Sequence, residues 1–151
     1  MKPKPIYPEE VEYRARSSWD GKTGCTSYVT DNQKVVIDTP STFGGKGEGI
    51  CPDELFVSAL LGCLNNTFLD FQRRFEMTLL SLDLEGHATA EFDGSGYKIV
   101  GVKVAGSIVV SQGEQSVGER CSELMKEYCH LSRSIADCIP IEYDISVEEA
   151  A

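Results

Sequence analysis

The sequence has no C-x-x-C pair and only two histidines, so the ligand spacing of a structural zinc site is missing. It has no apolar run long enough to cross a bilayer. Its start, Met1-Lys2-Pro3-Lys4-Pro5-Ile6-Tyr7-Pro8, lacks the apolar stretch of a secretory signal. Positive charge is scarce: 14 Lys and Arg against 24 Asp and Glu leave a formal net charge of −10. Phosphate is repelled over most of such a surface, which excludes nucleic acid and an anionic membrane as expected partners. Internal repeats and low-complexity segments are also lacking. These absences set the expectation of a cytoplasmic chain in a reducing compartment, without a bound metal or cofactor. In that setting Cys25, Cys51, Cys63, Cys121, Cys129 and Cys138 are read as core residues or reactive thiols, not as a disulfide framework.

What is present fits one domain over residues 1–151, since 41% of the chain is hydrophobic and a chain of this size can bury a core unaided. Alternation predicts a first strand near Glu10–Ser17, where Val11, Tyr13 and Ala15 oppose Glu12, Arg14 and Arg16. Asp20-Gly21-Lys22 reads as a turn. Short strands near Cys25–Thr30 and Lys34–Asp38 flank Asp31-Asn32. Residues 39–49 are rich in Gly, Thr, Ser and Pro and read as a loop carrying Lys46 and Glu48.

Pro52-Asp53-Glu54 is a helix start, with proline in the first turn and acids at the positive end of the dipole. Helical character runs to about Arg74, and Leu55 to Leu64 are apolar nearly all round. Such a helix is expected to be buried on most sides, and dimerisation around it would supply the cover. Leu80, Leu82, Leu84, Ala88, Ala90 and Phe92 then alternate with polar residues, as one long strand with a wet face. Asp93-Gly94-Ser95-Gly96 turns the chain into a second long strand, Tyr97–Ser111, with Val100, Val102, Val104, Ile108 and Val110 on one side. Val117, Cys121, Leu124, Met125 and Tyr128 repeat at helical spacing. A short helix near Leu131–Ala136 and a strand over Ile139–Val147 complete an α+β order.

Two cysteines fall in motif-like frames. Cys63 closes Pro52-Asp53-Glu54-Leu55-Phe56-Val57-Ser58-Ala59-Leu60-Leu61-Gly62-Cys63, and Cys129 opens Cys129-His130-Leu131-Ser132. The first segment resembles the Pro-Glu-x-Leu-φ-x-(Ala/Ser)-Ala-x-x-x-Cys helix of the OsmC/Ohr family, and the second resembles its Cys-Pro-x-Ser motif. The region around Trp19-Asp20-Gly21 is similar to the family's N-terminal hairpin. The resemblance implies antiparallel sheets around a long central helix, in an intertwined homodimer. It implies a thiol-dependent peroxidase that reduces organic hydroperoxides, with Cys63 peroxidatic and Cys129 resolving. An external dithiol or lipoylated protein would restore the pair. A binding or redox-sensing protein of the same fold is the alternative. The family places a glutamate where this chain has Asp53, and an arginine where it has Trp19 or, in the loop, Lys46; Arg14 and Arg16 lie nearby. Lysine supplies charge without arginine's bidentate fork.

The remaining candidates have plainer readings. Cys129 lies just off the apolar stripe of its helix, which suits a partly accessible thiol. Asn66 and Thr67 lie one turn beyond Cys63 and could hydrogen-bond near its sulfur. His130 is a sequence neighbour of Cys129, and His87 alternates onto a wet face. Asp53 is an ordinary first-turn acid, about 15 Å along the helix axis from Cys63. Cys51 precedes a helix start, while Cys25, Cys121 and Cys138 look like packing residues.

Overall fold

The structure, a computed structural model, describes residues 7–30 and 32–151. Residues 1–6 of the proline-rich start and Asp31 of the predicted turn lie outside the described residues. The chain divides into two compact units, the first ending at Pro52.

In the N-terminal unit three antiparallel strands, β1 (Arg16–Trp19), β2 (Gly24–Thr30) and β3 (Gln33–Asp38), lie in the order β1-β2-β3. The first strand therefore starts later than the alternation over Glu10–Ser17 suggests. Asp20 is the reason. Its backbone N–H bonds Gly24 O at 3.1 Å and its carboxylate accepts from Lys22 N at 2.7 Å. That turn fixes Trp19 opposite Cys25, and pairing runs out at Arg16 opposite Tyr28. Residues 11–15 have no partner strand and are exposed. The loop after β3 holds a short 3-10 turn at Ser41–Phe43 and returns Ile50 beside Ile37.

The C-terminal unit opens with α1 (Pro52–Arg74), bounded as the sequence predicts. Beyond its end Glu76 takes a positive φ of 54°, and Met77 N reaches back to Gln72 O at 3.1 Å. This six-to-one bond stops the helix. Next come β4 (Leu79–Phe92) and β5 (Tyr97–Val110), then α2 (Gln115–Tyr128), α3 (His130–Ile135) and β6 (Ile141–Glu149). The β4–β5 hairpin turns at Asp93, whose Oδ1 accepts from Ser95 N and Gly96 N. The sheet order is β4-β5-β6, but β6 runs parallel to β5. The expected antiparallel pairing holds for β1–β2, β2–β3 and β4–β5, and β6 alone joins its sheet in parallel. The α2–α3 segment carries the chain back to the end where β5 began, which is what a parallel neighbour requires.

Two bulges correct the predicted strand faces. Leu79 pairs with Val110 and Ser81 with Val109, so Leu80 is the extra residue and points outward. Thr89 pairs with Gly101 and Ala90 with Ile99, which puts Ile99 rather than Val100 against the core. Both follow from a strand absorbing one unpaired residue, which reverses the alternation beyond it.

The core is one cluster in this unit. Leu60, Leu64 and Phe68 of α1 meet Val102, Val104, Ile108 and Val110 of β5, with Cys121, Met125 and Cys129 from the α2 side. Only that i, i+4, i+8 stripe of α1 is buried. The expectation that α1 is covered on most sides does not hold within one chain: Ser58, Ala59, Gly62 and Asn66 are exposed. Gly86 lets α1 approach the sheet, because a Cβ there would lie 2.7 Å from Val57 Cγ1 and 3.2 Å from Leu61 Cδ2. Gly118 does the same for α2, against Val147 and Val110.

Overpacking at that approach has a measurable cost. Gly86→Ala is expected to lower stability by about 1–3 kcal/mol in urea unfolding. Gly96→Ala, where an added Cβ meets nothing within 4 Å, should stay within about 0.5 kcal/mol of the parent. Equal effects of the two would show that α1 does not rest on Gly86.

Candidate functional site

Cys63 sits on α1 immediately before Leu64, one of the three buried stripe residues. A step of one residue turns the side chain about 100° from the stripe, so Cys63 is half-buried and packs on the edge of the core. Thr67, one turn on, donates its hydroxyl to the Cys63 carbonyl at 2.8 Å and not to the sulfur. Asn66 is exposed.

Cys129 occupies the junction of α2 and α3, with φ −58° and ψ 123°. Its extended conformation breaks the helix and is pinned on both sides. Its N–H closes α2 on Met125 O at 3.1 Å, and its carbonyl accepts Arg133 N at 3.0 Å to begin α3. Ser132 Oγ donates to the same carbonyl at 3.1 Å. The expected partial accessibility is not found: Cys129 has 0% exposure. The junction folds it inward against the sheet, whereas its position beside the stripe on an unbroken helix would have turned it away.

The two thiols are both free and are neighbours. Cys63 packs against the core cluster that holds Cys129 and is one of the groups acting on its thiol. Burial pushes the Cys129 thiol above its ordinary range, the backbone N–H of Ser132 opposes this, and Cys63 adds to the rise through its hydrogen bond and its charge. The Ser132 hydroxyl also works against the rise. Tyr143 lies on the inner face of β6 opposite Val104. Burial raises its phenol, and the Ser132 hydroxyl opposes that. The Lys126 ammonium stands 5.7 Å from the centre of its ring.

Chemically, such a pair can form a disulfide once one sulfur is oxidised. Ser132 stands within a motif but has no part of its own in the sequence pattern, and Tyr143 falls inside the last predicted strand without a role of its own. A phenol hydroxyl on a buried face needs a partner, and that was the available signal.

Each of the other candidates has its own surroundings. Asp53 is exposed at the first turn of α1, ten residues before Cys63. Lys46 and Arg16 belong to the N-terminal unit. The Lys46 side chain is exposed, and its charge acts on Asp38. Arg16 lies over the Tyr28 ring at 4.5 Å. His87 is exposed beside Glu85 at 2.8 Å, as a solvated residue should be. His130 is exposed, and its carbonyl accepts from Ser134 Oγ. Cys121 is a core residue and Cys25 and Cys51 are half-buried; Cys138, expected to pack, is exposed with its sulfur on Ile135 O at 3.2 Å. The turn after α3 leaves it outside the core cluster.

Sequence reading overlooked Asp38. Only 4% exposed, it accepts through Oδ1 from Thr23 Oγ1 at 2.7 Å and Thr39 N at 2.8 Å, and through Oδ2 from Glu48 N at 2.9 Å. Thr23 Oγ1 in turn accepts Lys46 N at 3.1 Å. One carboxylate therefore fastens both ends of the loop that carries Lys46. The Thr23 hydroxyl first, then the Glu48 amide, hold Asp38 below the ordinary carboxylate range.

Comparison with known proteins adds the following. A family model described as OsmC-like protein matches residues 45–144. No curated protein matches the chain in sequence. Among solved structures, an OsmC-like protein from Mycoplasma pneumoniae superposes with a TM-score of 0.78 at 11% identity, covering 91% of this chain and 98% of that one. An organic hydroperoxide resistance protein OsmC from Legionella pneumophila gives 0.71 at 19% identity, covering 95% and 99%. One from Elizabethkingia anophelis, with thiocyanate bound, gives 0.71 at 14%, covering 95% and 98%. At these identities the likeness is one of fold.

The Asp38 anchor gives a pH-dependent expectation. Its folded pKa lies below the unfolded value, so its stabilisation is present above the ordinary carboxylate range, about 4, and is lost as pH falls through the folded value. Asn has one acceptor oxygen and cannot hold both ends of the loop. Asp38→Asn should therefore lower the hydrogen-exchange protection of the Glu48 amide by roughly 10-fold, the loss of one charge-assisted bond. The parent should lose the same protection on acidification. Unchanged protection in the variant would remove Asp38 from this role.

Proposed function

The chain belongs to the OsmC-like protein family, and on that premise we propose that it is a thiol-dependent peroxidase reducing organic hydroperoxides through Cys63 and Cys129. The observation that carries this reading is the meeting of two free thiols, one half-buried on α1 and one buried at the α2–α3 junction. Cys63 is the sulfur open to an oxidant. Its thiolate attacks the O–O bond, an alcohol leaves, and a sulfenic acid remains. The Cys129 thiol then forms the S–S bond as the sulfenic hydroxyl departs as water. A dithiol, free or lipoyl-bound, reduces the disulfide by exchange and is itself oxidised. The reading includes a homodimer, supported by the exposed face of α1 at Ser58, Ala59, Gly62 and Asn66. The group that activates Cys63 is left to substitution, with Lys46, Arg16 and Asp53 as the candidates that the resemblance supplies.

The test is consumption of cumene hydroperoxide with dihydrolipoamide as reductant. Cys63→Ser should reduce turnover by at least about 100-fold, as loss of a covalent nucleophile does. Cys129→Ser should leave one equivalent of peroxide consumed and a trappable sulfenic acid. No turnover in the wild type, with tight binding of an apolar ligand instead, would favour the binding-protein alternative. In the same assay Lys46→Gln should slow sulfenic acid formation by about 10-fold if lysine activates the thiol. A wild-type rate there transfers the role to Arg16, tested as Arg16→Gln.

A further inference from the structure

Cys129 is fully buried, so a reagent in solution reaches its sulfur only when part of the protein moves. The helix that begins there, α3, is lightly held. Ser132 is its buried residue, and that side chain is polar, donating to the Cys129 carbonyl at 3.1 Å. His130, Leu131, Arg133 and Ser134 are exposed. The first turn is fastened by bonds that lead back to the junction: Arg133 N–H and Ser132 O–H onto the Cys129 carbonyl, and Ser134 O–H onto the His130 carbonyl at 2.7 Å. Six residues with such bonds and no fully buried apolar side chain gain little stability of their own. The far end of α3 is different. Ile135 packs against the core cluster, and its carbonyl accepts Cys138 N–H at 3.0 Å, Ile139 N–H at 2.8 Å and the Cys138 thiol at 3.2 Å. At the near end the extended backbone of Cys129 already interrupts the helical run, with its N–H held by the Met125 carbonyl. Residues 130–134 thus lie between a break and an anchor.

We propose that α3 is a gate to Cys129: residues 130–134 open about the Ile135 anchor, and the open state is the one in which a dithiol reaches the Cys129 sulfur. Opening breaks the bonds of one short turn and uncovers little apolar surface, since Leu131 is 40% exposed already. It therefore lies well below global unfolding in free energy. Cys121 has no such route. It lies two turns back on α2, as fully buried as Cys129, with Gly118, Leu124 and Met125 buried on the same helix. Its sulfur is uncovered only when the core itself comes apart. The use of the gate rests on the peroxidase reading above, while the opening does not. In that use a thiolate of the dithiol attacks the Cys129 sulfur of the Cys63–Cys129 disulfide, and the Cys63 sulfur leaves as a thiolate. The second sulfur of the dithiol then displaces the Cys129 thiolate, and the dithiol departs as its disulfide. Its two protons end on Cys63 and Cys129.

The experiment is alkylation by iodoacetamide of the reduced Cys63→Ser chain, with each cysteine followed by peptide mass spectrometry at low urea concentrations. Cys138, which is exposed, gives the rate of an open thiol. Cys129 should react at least about 10-fold faster than Cys121 and depend far less on urea, because its opening uncovers less surface. Equal rates with equal urea dependence would mean that both sulfurs are reached by global unfolding alone, and would overturn the proposal. A second measurement asks whether α3 takes part. Ser134 is exposed, and Ser134→Gly should alkylate at Cys129 about 5-fold faster than Ser134→Ala, the difference in helix propensity between the two residues. A Cys129 rate indifferent to that exchange would mean that α3 stays formed when the sulfur is reached, which also overturns the gate. With Cys63 present, reduction of the peroxide-formed disulfide by dihydrolipoamide should follow the same order, and equal rates would remove the gate from turnover. A wild-type chain that consumes no cumene hydroperoxide would end the peroxidase reading, while the alkylation of Cys129 still decides whether α3 opens.

Discussion

The C-terminal unit depends on the way α1 lies on its sheet. Leu60, Leu64 and Phe68 form the only buried stripe of a helix 23 residues long. Each contributes roughly 1.5–3 kcal/mol by leaving water. That stripe fixes the rotation of the helix about its axis, and Gly86 fixes how closely it sits by leaving room for Val57 and Leu61. With rotation and depth set, the direction of Cys63 is set as well, since it precedes Leu64 by one residue. A rotation of α1 by one position would exchange a core leucine for a thiol. Packing therefore selects the geometry of the candidate site, and the site needs no separate scaffold.

A second set of contacts brings the other sulfur. Gly118 allows α2 onto Val147 and Val110, Cys121 and Met125 bury the same face, and the chain breaks at Cys129. The break is local chemistry: an N–H that ends one helix and a carbonyl that begins the next. Because β6 is parallel to β5, the α2–α3 crossover has to span the sheet from end to end. Its path over the core is thus dictated by topology, and the junction falls where α1 presents Cys63. The two thiols meet because two separate packing constraints share one hydrophobic cluster.

Much of this was legible in the sequence, and the failures share a cause. The bounds of α1, the β4–β5 hairpin and its Asp93 turn follow from periodicity and turn chemistry, which are local. Leu80 and Val100 were placed on the wrong face because a bulge depends on the partner strand's register, not on the strand's own pattern. The first strand was drawn too early because alternation over Glu10–Ser17 carries no information about the length of β2, its partner. Pairing of Cys63 with Cys129 comes from two motifs and could not come from spacing, the two numbers differing by 66. Asp38 was invisible for a related reason. Its partners Thr23, Thr39 and Glu48 are spread over three segments, and an aspartate before a loop resembles any other turn residue.

The environments of the two sulfurs also order the proposed chemistry without any further device. Cys129 is fully buried, and its thiol is held protonated by that burial and by the neighbouring Cys63. A thiol is a poor nucleophile toward peroxide, so the proposed chemistry gives the first step to the half-buried Cys63 and not to Cys129. Oxidation of Cys63 then changes the balance at Cys129. In the proposed chemistry the Cys63 sulfur becomes electrophilic and carries a departing hydroxyl. Of the influences acting on Cys129, burial and Ser132 persist through this change, while the part of the rise that Cys63 adds through its own charge is absent from a neutral sulfenic acid. On the proposed reading the Cys129 thiol is the quieter of the two until its partner has reacted. The difference in burial between the two sulfurs is enough to give them separate places in the proposed sequence, which is why the candidate resolving cysteine can be buried while its partner remains at the edge of the core.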